Sequence, residues 1–382
     1  LEVNEERVLE INSSRAPFFE EGMQESLSAG VGDGTLKATS DQTVISDCNV
    51  IISAIGTGIN DDGTPDIDSL EDLVEMLATF LSNGDLLILK TTLPIGTTER
   101  ISKMLSKRTG LKLDDELMVA FCPERIVEGK AMHELATLPK IVGGIGEKSA
   151  DRASSVMGLF GGNVVRVSNS RTAEMCKLLD NAYRMTRFGF SADVASVAWR
   201  NGIDAFEAIE ASNRDYERNN IPLPSVGVSG YCLTKDPYYL DAGAKNLWSS
   251  RDFPSTWINA RHAADWQINE AIERISDELP AGGADSKIVV AGVTYKEDVD
   301  DIRMSHGVKI GEMLIERGYE VIWWDPVTSM DEILGLKVSG GPECLAGSDL
   351  LIITVSGRLA VQDPLLLVSL HVPWLPSAND ND

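Results

Sequence analysis

Apolar and polar positions along this chain follow two alternating rhythms. Short apolar runs bounded by Gly, Pro or Asp read as buried parallel strands, and runs with apolar positions three to four apart read as helices. The run over 48–58, CNVIISAIGTG, ends in small residues that suit a strand delivering a loop to a ligand. A helix is predicted over 70–81, stopped by Asn83-Gly84, and a strand over 85–90. Thr91 to Thr98 opens the next helix. Strands over 118–121, 140–146 and 163–167 flank a helix over 149–160. This βα alternation predicts a doubly wound parallel sheet. At Thr172 the strand pattern stops. One long helix is expected to Arg200, closed by Asn201-Gly202, and Asp204 with Glu207 caps the next in capping-box fashion. A further amphipathic helix is predicted over 257–276. After the linker Leu279-Pro280-Ala281-Gly282-Gly283, a strand over 287–293, a helix over 306–317 and strands over 321–324 and 349–355 form a second βαβ pattern.

At 382 residues the chain exceeds what one core usually holds. The expected fold class is α/β, with two Rossmann-like doubly wound domains, 1–168 and 283–382, joined by a central helical domain, 169–282. Net charge is −25 and the pI is near 4.5. Such a chain repels nucleic acid and anionic membranes, so any anionic ligand must be met by local Lys and Arg. A salt-adapted source and a merely well-solubilised surface both account for the acidity. Five cysteines, none in C-x-x-C, and four histidines without ligand spacing argue against a disulfide framework or a metal site. A reducing cytoplasm fits. No signal peptide heads the chain, and no apolar run reaches the ~18 residues of a membrane span.

The chemistry gathers at Ser225 to Leu240, SVGVSGYCLTKDPYYL. Gly227 and Gly230 bracket a turn, Cys232 follows, and Lys235 and Asp236 come three and four residues on. A thiol beside a cation or at a helix start becomes a nucleophile at neutral pH, and glycines let backbone approach a bulky ligand. A buried structural cysteine beside a turn fits the same spacing. Thr92 stands at a strand end before a helix, where it can meet a phosphate or ribose or simply cap. Glu124 and Glu128 lie in a Pro/Gly-bounded loop after a buried strand, a better place for chemistry than open surface. Lys177 and Asn181 are one turn apart on the long helix, which by itself describes an ordinary solvated face.

Taken in order, these blocks resemble the UDP-glucose/GDP-mannose dehydrogenase superfamily over roughly residues 1–355. Its cysteine loop, G-x-G-G-x-C-x-x-x-D-P, is met by Gly227 to Pro237, with Ser229 at a usual Gly. Its S-T-x-P-x-G-T-T is met by Thr91 to Thr98, and E-M-x-K-x-x-x-N by Glu174 to Asn181. F-K-x-x-x-D-D-x-R-x-S is met by Tyr295 to Ser305. The variant P-E-R-x-x-x-G-K, Pro123 to Lys130, resembles the branch that oxidises UDP-N-acetylhexosamines, above all UDP-N-acetylmannosamine. Glu2 to Val8 resembles the D-x-x-x-x-x-V at the end of the second strand, so Leu1 to Val3 are expected as strand, and the first strand, its G-x-G-x-x-G loop and the first helix are expected to precede the sequence in hand. After Ser356 the expected D-x-R-N ending is not met.

The resemblance implies an NAD-dependent, four-electron oxidation of a nucleotide-sugar C6 alcohol to the uronate, through a thiohemiacetal and a thioester on Cys232. It implies Lys177, Asn181, Asp236, Thr92 and Glu124 as further catalytic residues. Glu2, Arg7, Thr92, Glu128, Lys235 and Arg303 would meet the cofactor. Glu124, Arg125, Lys177, Asn181, Gly227, Gly230 and Lys296 would meet the UDP-sugar. It also implies a homodimer or higher homo-oligomer built on the long central helix. Three other readings remain: a UDP-glucose 6-dehydrogenase, a single-oxidation hydroxy-acid dehydrogenase with no need of Cys232, and an inactive or regulatory nucleotide-binding protein.

Overall fold

The computed structural model describes residues 1–60, 62–244, 254–279, 286–297 and 299–354. They fall into two compact units, Leu1–Asp180 with Tyr238–Leu247, and Asn181–Pro237 with Trp248–Asp382.

The first unit begins with helices α1 (Glu5–Asn12) and α2 (Met23–Gly32). Its sheet is built from β1 (Val50–Ser53), β4 (Asp85–Leu89), β5 (Leu117–Phe121), β6 (Lys140–Gly144) and β7 (Val164–Arg166), in that order. A two-residue hairpin, β2 (Gly58–Ile59) with β3 (Pro65–Asp66), precedes helix α3 (Asp68–Phe80). Helices α4 (Thr97–Thr109), α5 (Ala131–Thr137) and α6 (Glu147–Met157) follow in turn. β4, β5 and β6 are buried along their whole length. Their side chains alternate between faces. Leu87, Leu89, Val119 and Phe121 pack with Leu73, Leu77, Ile101 and Leu105 of α3 and α4. Leu86, Ile88, Met118 and Ala120 pack with Ala153 and Met157 of α6. A strand sandwiched between helix layers needs apolar residues at every position, which is why these runs read as unbroken apolar stretches.

Four differences from the expected pattern stand out. β5 and β6 pair antiparallel through Ala120↔Gly144 and Phe121↔Gly143, so the sheet is not wholly parallel. A parallel crossover needs an apolar helix to lay on the sheet, and α5 buries no residue. The expected strand over 48–58 is limited to Val50–Ser53. Leu1 to Asn4 form no strand; Asn4 Oδ1 instead caps α1 by accepting from the Glu6 and Arg7 amides. The run after Gly230 is helical.

α7 (Ser170–Arg200) contributes its first turns to the first unit and the rest to the second, which also holds α8 (Ala205–Asn213). α9 (Tyr231–Ala242) carries an internal proline, Pro237, and α10 spans Thr256–Glu278. Gly189 lets α7 cross α10 closely: a Cβ there would lie 2.5 Å from the Ala260 backbone. The second sheet has the order β10-β11-β9-β8-β12, with β8 (Lys287–Ala291), β9 (Glu320–Trp324), β10 (Glu332–Ile333), β11 (Leu336–Ser339) and β12 (Leu350–Ile353). All its ladders are parallel except β10 with β11. Helix α11 (His306–Glu316) packs Ile310 and Leu314 against Ile288, Val290 and Trp323. The linker beyond Leu279 and everything after Thr354, including the end of the strand expected over 349–355 and the tail past Ser356, lie outside the described residues.

Candidate active site

In the first unit, the candidate residues sit on loops after strands, on the first turns of α7 and at the start of the sequence around α1. Thr92 follows β4, half-buried, with its carbonyl accepting from Thr57 Oγ1 at 2.9 Å. Glu124 follows β5. Lys90 Nζ lies 2.9 Å from its carboxylate, and the amides of Arg125 and Ile126 donate to it. Burial raises the Glu124 pKa, but Lys90 and those amides outweigh it and hold the carboxyl below its ordinary value. Arg125 pairs with Asp180 at 2.8 Å. Glu128 is exposed on the same loop. Lys177 is half-buried on α7. Glu2 is half-exposed, its backbone amide donating to Thr39 O at 3.0 Å and its carboxylate accepting from the Asn4 amide at 2.9 Å. Arg7 is exposed on the first turn of α1.

In the second unit, Cys232 is exposed on the first turn of α9, which removes the reading of a buried structural thiol. Gly227 and Gly230 both have positive φ, 88° and 93°. Cβ atoms there would come within 2.7 Å of Ile268 and 2.9 Å of Tyr295, so both positions need glycine for conformation and for space. Lys235 and Asp236 are buried, with Nζ 3.1 Å from Oδ1. The Lys235 ammonium also lies 5.3 Å from the Tyr231 ring, and the Arg303 guanidinium lies 5.9 Å from the same ring. The Asn181 amide donates to Asp236 Oδ2 and its oxygen accepts from Arg184. These two bonds hold the buried Asn181 amide group in one orientation. Arg303 is exposed and chelated by Asp301, with Nη2 to Oδ2 at 2.5 Å. Lys296 is half-buried in the loop that Tyr295 N closes onto Asp301 O at 2.8 Å.

Cys48 is exposed like Cys232, whereas Cys122 is buried and Cys176 and Cys344 are half-buried. Burial pushes Cys122 up to about 12, and it raises Cys176 and Cys344 as well. All five cysteines are free.

Three buried carboxylates were not anticipated as site supports. Glu174 accepts from the Gly96 amide at 2.5 Å, the Thr98 amide at 2.7 Å and Thr98 Oγ1 at 2.6 Å, capping α4 from α7 and fixing the end of the Thr92 loop. Glu20 accepts from the Gly129 and Ala131 amides and ties down the Glu124 loop. Asp325 accepts from the Val293 and Thr294 amides, setting the start of the loop that carries Lys296. Glu174 opens the E-M-x-K-x-x-x-N block, whereas Glu20 and Asp325 carry no local signal.

The first unit matches an NAD binding domain and the end of the chain a UDP binding domain, which together define a nicotinamide-dependent oxidoreductase acting on a nucleotide sugar. The matching models are those of the UDP-glucose/GDP-mannose dehydrogenase family: the NAD binding domain over residues 1–160, the central domain over 171–260 and the UDP binding domain over 289–358. A UDP-N-acetyl-D-mannosamine dehydrogenase of Methanocaldococcus jannaschii is 33% identical over 343 residues, 87% of this chain and 76% of that protein. One from Pyrococcus horikoshii is 30% identical over 364 residues, 91% and 82% of the two chains. A solved structure of the UDP-D-ManNAc dehydrogenase from P. horikoshii superposes with a TM-score of 0.84 at 28% identity, covering 97% of this chain and 86% of that one. The chain belongs to the UDP-glucose/GDP-mannose dehydrogenase family. It is an NAD-dependent nucleotide-sugar dehydrogenase. Among the described residues no helix is long and apolar enough to cross a membrane, and no cluster of three or more His, Cys, Asp or Glu could hold a metal ion.

Proposed function

We propose that this protein oxidises UDP-N-acetylmannosamine to UDP-N-acetylmannosaminuronate through covalent catalysis by Cys232. The observation that carries the mechanism is the exposed Cys232 on the first turn of α9, beside the buried Lys235–Asp236 pair. The choice of sugar rests on the relatives named above and on the Arg125–Lys130 variant of the Glu124 loop. The domains are read as 1–168 for NAD, 169–282 for the active site and dimer contact, and 283–382 for the UDP-sugar.

The donor set suits NAD. The Glu2 carboxylate, backed by the Asn4 amide, is the kind of group that takes a ribose diol, and exposed Arg7 and half-buried Thr92 offer a cation and a hydroxyl. Glu128, Lys235 and Arg303 complete the proposed cofactor contacts. Bound NAD+ supplies the hydride acceptor for each of the two oxidations. The thiolate of Cys232 forms a bond to the aldehyde carbon, and the helix start favours its negative charge. Lys177 and the Asn181 amide stabilise the oxyanion, a contribution of about 3 kcal/mol per donor. Oxidation of that adduct gives a thioester. Asp236, with Thr92, orients water onto it; the C–S bond breaks, the thiolate leaves and the carboxylate is released. Glu124, Arg125, Gly227, Gly230 and Lys296 hold the substrate. Free thiols throughout fit a reducing cytoplasm as its place of work.

The test is Cys232→Ala with a panel of UDP-sugars, following NADH and acid. The wild type should form two NADH per acid, fastest with UDP-N-acetylmannosamine, and the variant no acid. Normal acid formation by the variant would remove Cys232 from the mechanism. UDP-glucose turning over fastest would overturn the choice of sugar.

A further inference from the structure

Ser229 stands three residues before Cys232 and makes the contact that fastens the glycine turn. The His306 amide donates to Ser229 Oγ at 2.8 Å, and the same hydroxyl meets His306 Nδ1. Nε2 faces the Thr354 carbonyl at 3.0 Å, which can only accept, so the ring carries its hydrogen on Nε2 and donates it there. In the neutral ring Nδ1 is then the acceptor and takes the Ser229 hydroxyl proton. Thr354 Oγ1 in turn lies within donating reach of the Ala291 and Gly292 carbonyls at the end of β8, which share its one proton. Each polar atom of the buried histidine is used, and only the neutral ring satisfies the whole set. The amide that Ser229 takes is also one of the four donors that α11 cannot satisfy internally.

The turn has little freedom elsewhere. Gly227 sits against Ile268 and the His306 Cβ, and Gly230 N faces Met304 O at 3.4 Å. Met304 is held at a positive φ of 53°, a conformation that a residue with a long side chain adopts only when its surroundings fix it. The cysteine turn and the loop carrying Lys296 and Arg303 are thus joined at Gly230 and at Ser229.

We propose that Ser229 and His306 are a positioning pair, in which a neutral histidine fastens the cysteine turn to the start of α11 through the serine hydroxyl and so fixes where Cys232 sits. The catalytic consequence rests on the reading of Cys232 as nucleophile; the fastening does not. Neither residue touches substrate in this assignment.

Peptide-resolved amide hydrogen exchange and steady-state kinetics on the full chain test the pair. Ser229→Ala should speed exchange over 227–233 about tenfold, leave β4 and β5 unchanged, and lower kcat about tenfold with both KM values within about twofold. His306→Asn places an amide oxygen near Nδ1 and should recover most of this protection. His306→Gln keeps a donor for Thr354 O and should not. Unchanged exchange over 227–233 in Ser229→Ala overturns the fastening. Faster exchange with unchanged kcat overturns the positioning of Cys232, and equal loss in the Asn and Gln variants assigns His306 to packing alone and overturns the pair. If both His306 variants misfold, the half-buried Ser229→Ala still decides the matter. Should the wild type turn over no UDP-sugar, the proposed function fails while the exchange measurement still decides the fastening.

Discussion

Glu174 shows how one side chain can support a site it never enters. Its carboxylate takes two amides and a hydroxyl at the start of α4, which fixes the end of the turn after Thr92. Burial raises its pKa despite those three donors. Glu174→Ala strands buried amides in an apolar setting, which costs about 1–3 kcal/mol, and Glu174→Gln, with one amide oxygen left to accept, should cost less. Urea unfolding midpoints of the two variants give the order; equal midpoints would show that water replaces the carboxylate. His306 gives a pH prediction of definite sign. Burial, only partly opposed by its bond to Thr354, depresses it from 6.5 to about 4. The unfolded chain takes up a proton below pH 6.5 while the folded chain does so only near 4, so stability falls as pH drops through that window. One group contributes a slope of at most about 1.4 kcal/mol per pH unit. The slope should flatten in His306→Asn, measured as urea midpoints between pH 7 and 5 against wild type; an unchanged slope would mean that the acid sensitivity arises in other groups.

Among elements, the α7–α10 crossing yields a case in which two effects oppose. Alanine in place of a mid-helix glycine ordinarily gains up to about 1 kcal/mol. At Gly189 the added Cβ would lie 2.5 Å from Ala260 backbone atoms, which cannot turn aside as a side-chain tip could. Overpacking of this kind costs about 1–3 kcal/mol, so Gly189→Ala should lower the thermal midpoint. A raised midpoint would show that the helices can part at no cost. The elements that could be read from the sequence are those whose own side chains dictate them. β4 and β5 are apolar at nearly every position and α3 and α11 carry apolar stripes, so each was predicted to within a few residues. What could not be read depends on partners far along the chain. The antiparallel β5–β6 ladder follows from what α5 lacks, and α9 is disguised by Pro237 in its interior. Within the candidate site the same division holds. The glycines around Cys232 announce a tight turn, and the Arg303–Asp301 pair is visible as a surface pairing between near neighbours. The Glu174 cap joins residues 76 apart and the Ser229–His306 link joins residues 77 apart, and no local pattern marks either.

For the whole molecule, charge and assembly have to be considered together. Tyr183, Phe190 and Val197 are 65%, 54% and 62% exposed and recur every seventh residue, on one face of α7. Scattered apolar residues on a surface are normal, but large ones repeating at a fixed spacing along one helix face suit an interface. The proposed occupant is a second copy of the chain, as the family resemblance implies for this helix. Each copy carries a net charge of −25, so two copies repel at long range. The Debye length shrinks from about 30 Å at 0.01 M salt to about 8 Å at 0.15 M, while burial of the apolar stripe is not weakened by salt. Dimerisation should therefore tighten as salt rises, the reverse of an interface held by ion pairs. Phe190→Glu adds a buried charge on each side of the contact and should leave a folded monomer at every salt concentration. Sedimentation equilibrium between about 0.01 and 0.5 M salt follows both effects, with unfolding curves to confirm that the variant is folded. A dimer that loosens with salt, or one that survives Phe190→Glu, would place the interface somewhere other than this face of α7.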